Sequence, residues 1–276
     1  MAMGDFYGEI VKNKVVKFLY SFLGVPDFHT HLRIKPMLKF LEKHFYKTES
    51  PILTILKLGC GTGINGFEIG KIAVRFGKKL NYIGVDLSEE SISNAKKITG
   101  IYRSNAELNF SFYHSDANNF LENYSGSNFD IILLIDFIEH VSSPEIVLRM
   151  ANKKLRENGM FIVSVPTPLY PKVFGRKFHK KIGHLVDGYS INQLDTLFKS
   201  INCNRLLYKY DTGLVSNFGC WIFYNKLGDI KNRYINFFKW IIVYPFKFLE
   251  ILNGPYVSCS LFAVYEKSKR IECNHV

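Results

Sequence analysis

Cysteine is scarce in this chain of 276 residues, and several marks of secreted and membrane proteins are missing. Its five cysteines are scattered and form no CxxC pair, which argues against a disulfide scaffold or a zinc site and favours a reducing cytosol. The first residues lack a basic stretch followed by an apolar core, so we expect no signal peptide. The most apolar segment, residues 234–252, contains charged residues and Pro245, and it is therefore not predicted to cross a membrane.

Positive charge is in excess, because 36 Lys and Arg face 24 Asp and Glu and give a net charge of +12. This excess favours anionic partners, namely nucleic acid, an acidic membrane surface or a phosphorylated substrate, and it does not choose among them. Hydrophobic residues make up 47% and charged residues 22%, which is typical of a globular protein. The length suffices for one large α/β domain with its own core.

Short apolar runs alternate with helical segments from residue 51 onward. The runs that predict strands cover residues 52–58, 81–87, 107–114, 129–135, 160–166, 204–211 and 258–266. Run 107–114 alternates, whereas continuous runs such as 129–135 suit strands that are buried on both faces. Helix-start signals lie between them, such as Ser88 before two glutamates and Ser143 before Pro144. The alternation predicts right-handed βαβ units, and hence a Rossmann-like α/β fold with a mostly parallel sheet and helices on both faces.

Residues outside these units divide the chain further. Helical spacing over residues 10–23 and 34–45, with no strand before residue 50, predicts an N-terminal helical cap over residues 1–49. We expect the core over residues 50–212, an aromatic helical insertion over 213–255, and the last strand with a tail over 256–276.

A glycine-rich segment, LKLGCGTGINGFEIG, lies where the first strand must turn into the first helix. Glycines there permit positive φ and a close approach of a ligand, and the helix N-terminus adds unpaired N–H groups. Asp86 ends the second strand, where a carboxylate can accept hydrogen bonds from ribose hydroxyls. Starting at Gly61, the loop matches a dinucleotide motif; starting at Gly59, it has the spacing typical of S-adenosylmethionine loops. These features alone leave both cofactors open.

The order of several motifs extends the comparison over residues 50–210. ILKLGCGTG, IGVDLS, HSDANNF, FDIILLIDFIEHV and LRENGMFIVSVPTP follow one another in a sequence that resembles the class I S-adenosylmethionine-dependent methyltransferases, especially the group with the quinone-biosynthesis methyltransferases. The resemblance implies methyl transfer, S-adenosylmethionine as cofactor and a seven-stranded sheet with an antiparallel last strand. It implies these cofactor-binding residues: Gly59, Cys60, Gly61, Thr62, Gly63, Asp86, Leu87, Asp116, Ala117, Ile135 and Asp136.

One position departs from the family pattern. The family usually carries an acidic residue two positions before the first glycine of the loop, where it helps to hold the ammonium group of the cofactor, and this chain has Lys57 there. Three outcomes stay open: another acid substitutes, cofactor affinity is weakened, or the protein is a catalytically inactive binding protein.

The transfer site is expected at the end of the fourth strand. Asp136, Glu139 and His140 follow that strand, and His184 comes later in GHLVDGYS. We predict His140 and His184 as catalytic residues, since histidine is the most frequent general base for a hydroxyl acceptor. The same four residues also form a candidate divalent-metal site, and a purely structural role for Glu139 and His140 is the third interpretation, so metal use is left open.

Two further segments bear on the acceptor. Residues 171–184 contain five basic residues and no acid, and residues 234–252 combine aromatic residues with lysine, as interfacial segments or lids over apolar substrates do. We expect O-methylation of a small acceptor, anionic or linked to a lipid or carrier, by a cytoplasmic protein at the inner face of a membrane. An RNA methyltransferase is the alternative, and nucleic acid is disfavoured because the chain has no added RNA-binding module. The resemblance also argues against methylation of an exocyclic amine of a base, because N6-adenine enzymes of the family carry [DN]PP[YFW] after the fourth strand, where this chain has IDFIEH.

Overall fold

The computed structural model describes residues 28–222, 242, 244–247 and 253–268. The helix predicted over residues 10–23 and most of segment 234–252 lie outside these residues. The strands are β1 Ile52–Leu58, β2 Lys79–Asp86, β3 Leu108–His114, β4 Phe129–Ile135, β5 Leu155–Pro166, β6 Cys203–Asp211 and β7 Ser260–Lys267. The helices are α1 Phe28–Lys47, α2 Ile64–Phe76, α3 Glu89–Thr99, α4 Ala117–Asn123, α5 Pro144–Lys154, α6 Tyr170–Phe174, α7 Arg176–Lys181, α8 Ile191–Lys199 and α9 Leu214–Trp221. In this part of the chain, none of the helices has the length and apolarity to cross a bilayer.

All seven strands form one sheet in the order β3-β2-β1-β4-β5-β7-β6. The pairs from β3 to β5 are parallel, and β7 runs antiparallel to both β5 and β6. The predicted Rossmann-like fold with an antiparallel last strand is confirmed. The helix before β5 ends at Lys154, and β5 begins at Leu155, five residues before the predicted start of this strand at residue 160.

Helices cover both faces of the sheet and form two apolar layers. Along β4, Leu133 packs into the layer under α1, α2 and α3, whereas Ile132 packs into the layer under α4, α5 and α8. Alternate side chains of a strand point to opposite faces, so both sets must be apolar here. This double burial explains why the central strands have nearly continuous apolar sequences.

The N-terminal helix α1 packs on the sheet beside α2 and also contacts β7. Met37, Leu41 and Phe45, spaced by four residues, are fully buried and form its apolar stripe. Arg33 and Ile34, which precede this stripe, reach the edge of the sheet where the parallel strands end. The helix begins six residues earlier than predicted, and this extra part contributes to the site described next.

Candidate active site

A cavity of about 600 Å³ opens at the carboxyl ends of the parallel strands, and the loops that follow β1 to β4 form its wall. Open parallel sheets bind ligands at this edge, and the volume lies within the usual range for small-molecule sites. All of the predicted cofactor residues except Gly63 line the cavity: Gly59, Cys60, Gly61, Thr62, Asp86, Leu87, Asp116, Ala117, Ile135 and Asp136. His140 also lies in the wall.

The glycine loop has a backbone that side chains rarely permit. Gly61 has a φ of 51°, and a Cβ atom added there would meet no atom within 4 Å, so its open side is free for a ligand. Gly63 has a φ of 81°, and an added Cβ would lie 2.7 Å from the Cα of Ala95 in α3. Gly63 therefore allows α2 and α3 to pack closely, which accounts for its place outside the cavity wall.

Asp86 joins two backbone loops at the end of β2. Its Oδ2 accepts a hydrogen bond from the N–H of Gly61 at 2.8 Å, and its Oδ1 accepts one from Ser88 at 2.9 Å. Each carboxylate oxygen has a second acceptor position, so Asp86 can also accept from the hydroxyls of a sugar. Asp116 differs, because its Oδ1 caps the N-terminus of α4 by accepting from the N–H of Asn118 at 2.8 Å.

Lys57 is only 1% exposed, and its ammonium group is directed at backbone oxygens. Its Nζ donates to the carbonyl oxygens of Leu58 at 2.8 Å, Gly59 at 2.7 Å and Ile135 at 2.8 Å, which uses all three of its donors. Burial lowers the pKa of Lys57 to about 8, against the opposing effect of Asp136. The unusual lysine thus links the ends of β1 and β4, with an acidic residue nearby.

Sequence reasoning missed Arg33, which α1 places against Asp136 of the cavity wall, although Arg33 does not itself line the cavity. The guanidinium is 3% exposed, and its Nη1 forms an ion pair with Oδ1 of Asp136. Its Nε and Nη2 have no hydrogen-bond partner among the residues described. These two nitrogens form one edge of the planar group, which matches the two oxygens of a carboxylate or phosphate. Only a partner distant in sequence distinguishes Arg33 from an ordinary helix residue, so no local signal reveals it.

Glu139 is fully buried between these charges. Burial and the neighbouring Asp136 raise the pKa of its carboxyl to about 8, while Arg33 and Lys57 act in the opposite direction. Within the described residues, neither oxygen of Glu139 has a hydrogen-bond partner. A buried carboxyl without partners is costly, so the group is kept neutral or requires a cation.

Three histidines form a cluster, and two of them, His140 and His184, lie beside this carboxyl. The ring of His184 lies 4.8 Å from that of His140 and 4.7 Å from that of His179, between ring centroids. Nδ1 of His140 lies 3.0 Å from the carbonyl oxygen of Gly183, which can only accept, so Nε2 keeps its lone pair. Burial lowers the pKa of His184 to about 3, with contributions from both neighbouring histidines. His179 was missed because it lies within a basic run.

Three of the four candidate metal ligands lie close together in the structure. Glu139, His140 and His184 offer ligand atoms that all lie within 4.8 Å of one another. Asp136, the other residue of the predicted half-site, is engaged by Arg33 instead. One carboxylate and two imidazoles suit a divalent transition metal, and the unpartnered oxygens of Glu139 fit such an ion.

Comparison with known proteins shows to which family the chain belongs. A family model described as a methyltransferase domain matches residues 49–206, which is more than half of the chain. The chain therefore belongs to the class I S-adenosylmethionine-dependent methyltransferases, whose cofactor is S-adenosylmethionine. The prediction of S-adenosylmethionine as the cofactor, and not a dinucleotide, is confirmed.

Individual relatives are more distant. A ubiquinone biosynthesis O-methyltransferase from Ruegeria sp. is 28% identical over 120 residues, which cover 43% of this chain and 44% of that protein. The protein of the same description from Ruegeria pomeroyi is 29% identical over 119 residues, which cover 42% and 43%. The chain thus spans less than half the length of these relatives.

Solved structures share the fold at low sequence identity. A methyltransferase from Archaeoglobus fulgidus has a TM-score of 0.52 at 16% identity, covering 92% of this chain and 100% of that one. A magnesium protoporphyrin IX methyltransferase from Synechocystis, solved with S-adenosylhomocysteine, has a TM-score of 0.52 at 14% identity, covering 93% and 88%. Identities this low establish the common fold alone.

The buried lysine generates a prediction on stability. We expect the free energy of unfolding of the natural chain, relative to Lys57→Met, to rise between pH 8 and pH 10.5. The folded-state pKa of about 8 lies below the ordinary value of 10.5, so the unfolded chain binds more protons in this window and stability increases with pH. The relative gain is roughly 3 kcal/mol over the whole window.

Urea unfolding at a series of pH values measures this difference. Lys96→Met, which removes an exposed lysine of α3, is the matched control for the loss of one charge. If the free energies of unfolding of the natural chain and of Lys57→Met differ by a constant amount from pH 8 to 10.5, the ammonium group is not destabilised by burial.

Proposed function

We propose that this chain transfers the methyl group of S-adenosylmethionine to an oxygen atom of a small acceptor. One observation carries the proposal: a single cavity joins the glycine loop and Asp86 at one end to His140, beside the buried Glu139, at the other. The similarity to the Ruegeria O-methyltransferases supports oxygen as the methylated atom. The cofactor supplies an already activated methyl group, so the protein must mainly align the reactants and exclude water.

Residues of the cavity wall would hold the cofactor in separate parts. Asp86 would accept from the ribose hydroxyls, and Asp116 with Ala117 would border the adenine. Gly59, Cys60, Gly61 and Thr62 would lie against the methionine part, with Ile135 and Asp136 beside the transfer site. Leu87, which is exposed at the rim, would cover the ribose. Gly63 would act by keeping α2 in place.

Arg33 would bind the carboxylate of the methionine part. Its unpartnered Nε and Nη2 edge has the geometry for two carboxylate oxygens, and Asp136 fixes the guanidinium from its other side. Lys57 has no free donor for this task, because all three of its hydrogen bonds go to backbone carbonyls. A buried guanidinium with two unused donors is stabilised when an anion completes its hydrogen bonds.

The acceptor would be activated by the histidines. His140 is exposed and keeps a lone pair on Nε2, so it would take the hydroxyl proton as general base. His184, whose pKa is held low, stays neutral and would orient the acceptor oxygen. If a divalent ion is used, Glu139, His140 and His184 would hold it, and the ion would polarise the hydroxyl.

The basic surface next to the histidines supports an anionic or lipid-linked acceptor. Lys172, Arg176, Lys177 and Lys180 are exposed on α6 and α7, whose inner residues include Tyr170 and the buried His179. Such a surface raises the local concentration of anionic molecules and of anionic membrane lipids. We therefore place the protein in the cytoplasm, at the inner face of a membrane.

The first test is the reaction itself. We expect mass spectrometry to detect a gain of one methylene on a catechol hydroxyl, with 4-methylcatechol as probe and S-adenosylmethionine as donor. Asp86→Ala should weaken S-adenosylhomocysteine binding at least about tenfold in calorimetry, because the ribose loses its acceptor and the glycine loop loses its anchor. Glu90→Ala, which removes an exposed acid from the first turn of α3, is the matched control.

Other outcomes of the same assay would contradict the proposal. Methylation found only in added total RNA would favour the RNA methyltransferase. Cofactor binding without transfer to any acceptor of a cell extract, with and without added Mg²⁺ or Mn²⁺, would favour an inactive binding protein.

The carboxylate role of Arg33 has its own test. We expect Arg33→Met to weaken S-adenosylhomocysteine binding about tenfold to a hundredfold, since a charge-assisted pair of hydrogen bonds is lost. Binding of 5′-methylthioadenosine, which lacks the carboxylate, should not change in calorimetry. Arg33→Lys should bind S-adenosylhomocysteine more weakly than the natural chain and more tightly than Arg33→Met. Arg75→Met, at an exposed arginine of α2, is the control. Equal losses for both ligands would refute the assignment.

Membrane contact can be measured by flotation. We expect the chain to float with vesicles that contain anionic phospholipid and to remain in solution with neutral vesicles, because the basic surface of α6 and α7 binds the headgroups electrostatically. Lys177→Glu with Lys180→Glu should abolish flotation, whereas Lys96→Glu with Lys97→Glu on α3 should retain it. No flotation of the natural chain at low salt would remove the membrane assignment.

A further inference from the structure

A second cavity, of about 740 Å³, lies beside the first, between α8 and the segment that leads into α5. Val141 and Ser142 belong to the walls of both cavities. The two spaces therefore adjoin along this short piece of backbone, directly after His140. We call the second cavity the apolar groove after the residues Val141, Pro144, Leu185, Val186, Tyr189 and Leu197 of its wall. The rest of the wall is formed by the polar residues Ser142, Glu145, Asn192, Gln193 and Thr196.

The chemistry of the groove differs from that of the basic surface nearby. Leu185 is 60% exposed and Val186 is 37% exposed, although both are apolar and line a concave surface. Among the described residues that line the groove, Glu145 is the only charged side chain at neutral pH. Such a wall offers no positive charge to an anionic headgroup. An uncharged apolar chain, in contrast, would cover the exposed apolar side chains of the groove and remove them from water.

One segment connects the groove with the transfer site. The strap, residues 183–188, begins and ends at glycines with φ values of 80° and 132°, and the N–H of Leu185 donates to the carbonyl oxygen of Glu139 at 2.9 Å. Within the strap, His184 packs against His140, while the next two residues, Leu185 and Val186, line the groove. Neighbouring residues of the strap thus contact His140 of the first cavity on one side and line the apolar groove on the other.

We propose that the apolar groove binds an apolar tail of the methyl acceptor, whose reacting oxygen lies near His140 and His184. The inference rests on the proposed function and names its substrate class: an amphipathic molecule with a polar head and an uncharged hydrocarbon tail. The two cavities share Val141 and Ser142, directly after His140, so a tail that leaves the histidines would have only this short piece of backbone to pass before it reaches the groove. Occupation of the groove also holds the strap, and hence His184, in place.

Variants of α8 test the groove without touching the catalytic residues. Thr196 is an exposed lining residue, and Thr196→Trp places a large ring in the groove; Lys199→Trp adds the same ring on α8 outside it. We expect KM for 4-octylcatechol to be about tenfold or more below that for 4-methylcatechol in the natural chain and in Lys199→Trp. In Thr196→Trp the two KM values should become similar, with kcat for 4-methylcatechol retained. A ratio that Thr196→Trp leaves unchanged would overturn the proposal.

Binding of the tail is measured separately from methyl transfer. In a sample with ¹³C-labelled methyl groups, 1-octanol should shift the NMR signals of Leu185 and Val186, and Thr196→Trp should abolish these shifts. If octanol leaves both signals in place, the groove does not bind the tail and the inference fails. If octanol shifts them but no catechol is methylated, the proposed function fails while the apolar site stands. Shifts that depend on protein concentration alone would assign the groove to a second copy of the chain and overturn the tail assignment.

Discussion

A charged side chain buried between two central strands must find acceptors, and Lys57 finds three in the carbonyl groups of Leu58, Gly59 and Ile135. These carbonyls end β1 and β4, so the lysine sets the distance between the two strands where the cavity opens. An unpaired ammonium at this depth would be prohibitive, and the acids at its side are part of the same arrangement. The glycine loop and the start of the segment with Glu139 therefore depend on one ammonium group.

The surrounding charges extend this arrangement to α1. Arg33 neutralises Asp136, and both cations oppose the rise in the pKa of Glu139 that burial causes. Two basic and two acidic side chains thus share a small volume at the sheet edge, and all of them except Asp136 are buried. Electrostatic interactions are strong among buried groups, so the protonation state of Glu139 decides the net charge that a cationic cofactor meets.

How much of this could be predicted from sequence differs between parts of the molecule. The central strands were predictable because burial on both faces demands continuous apolar runs, and the position of Asp86 was predictable because this residue ends β2. Asp116 shows the limit of such reasoning, since the pattern cannot separate a ligand contact from the helix cap that the structure shows.

Other features depend on contacts between distant parts of the chain. Arg33 looks like any basic residue of an amphipathic helix until Asp136 is brought beside it. His179 lies in a run of lysines, and only the turn that places it against His184 distinguishes it. The apolar groove is formed by residues of the strap and of α8, and neither segment is unusual by itself.

The position of α1 has a consequence for how such proteins are divided into units. The stretch recognised by family similarity begins at residue 49 and stops at 206, inside β6. A protein trimmed to those limits would lose β7, which lies between β5 and β6, and would also lose the helix whose Ile34 lines the cavity and whose Arg33 pairs with Asp136. The residues that match the family model are therefore fewer than the residues that form the site. A chain cut at residues 49 and 206 would lack structure next to the expected transfer site.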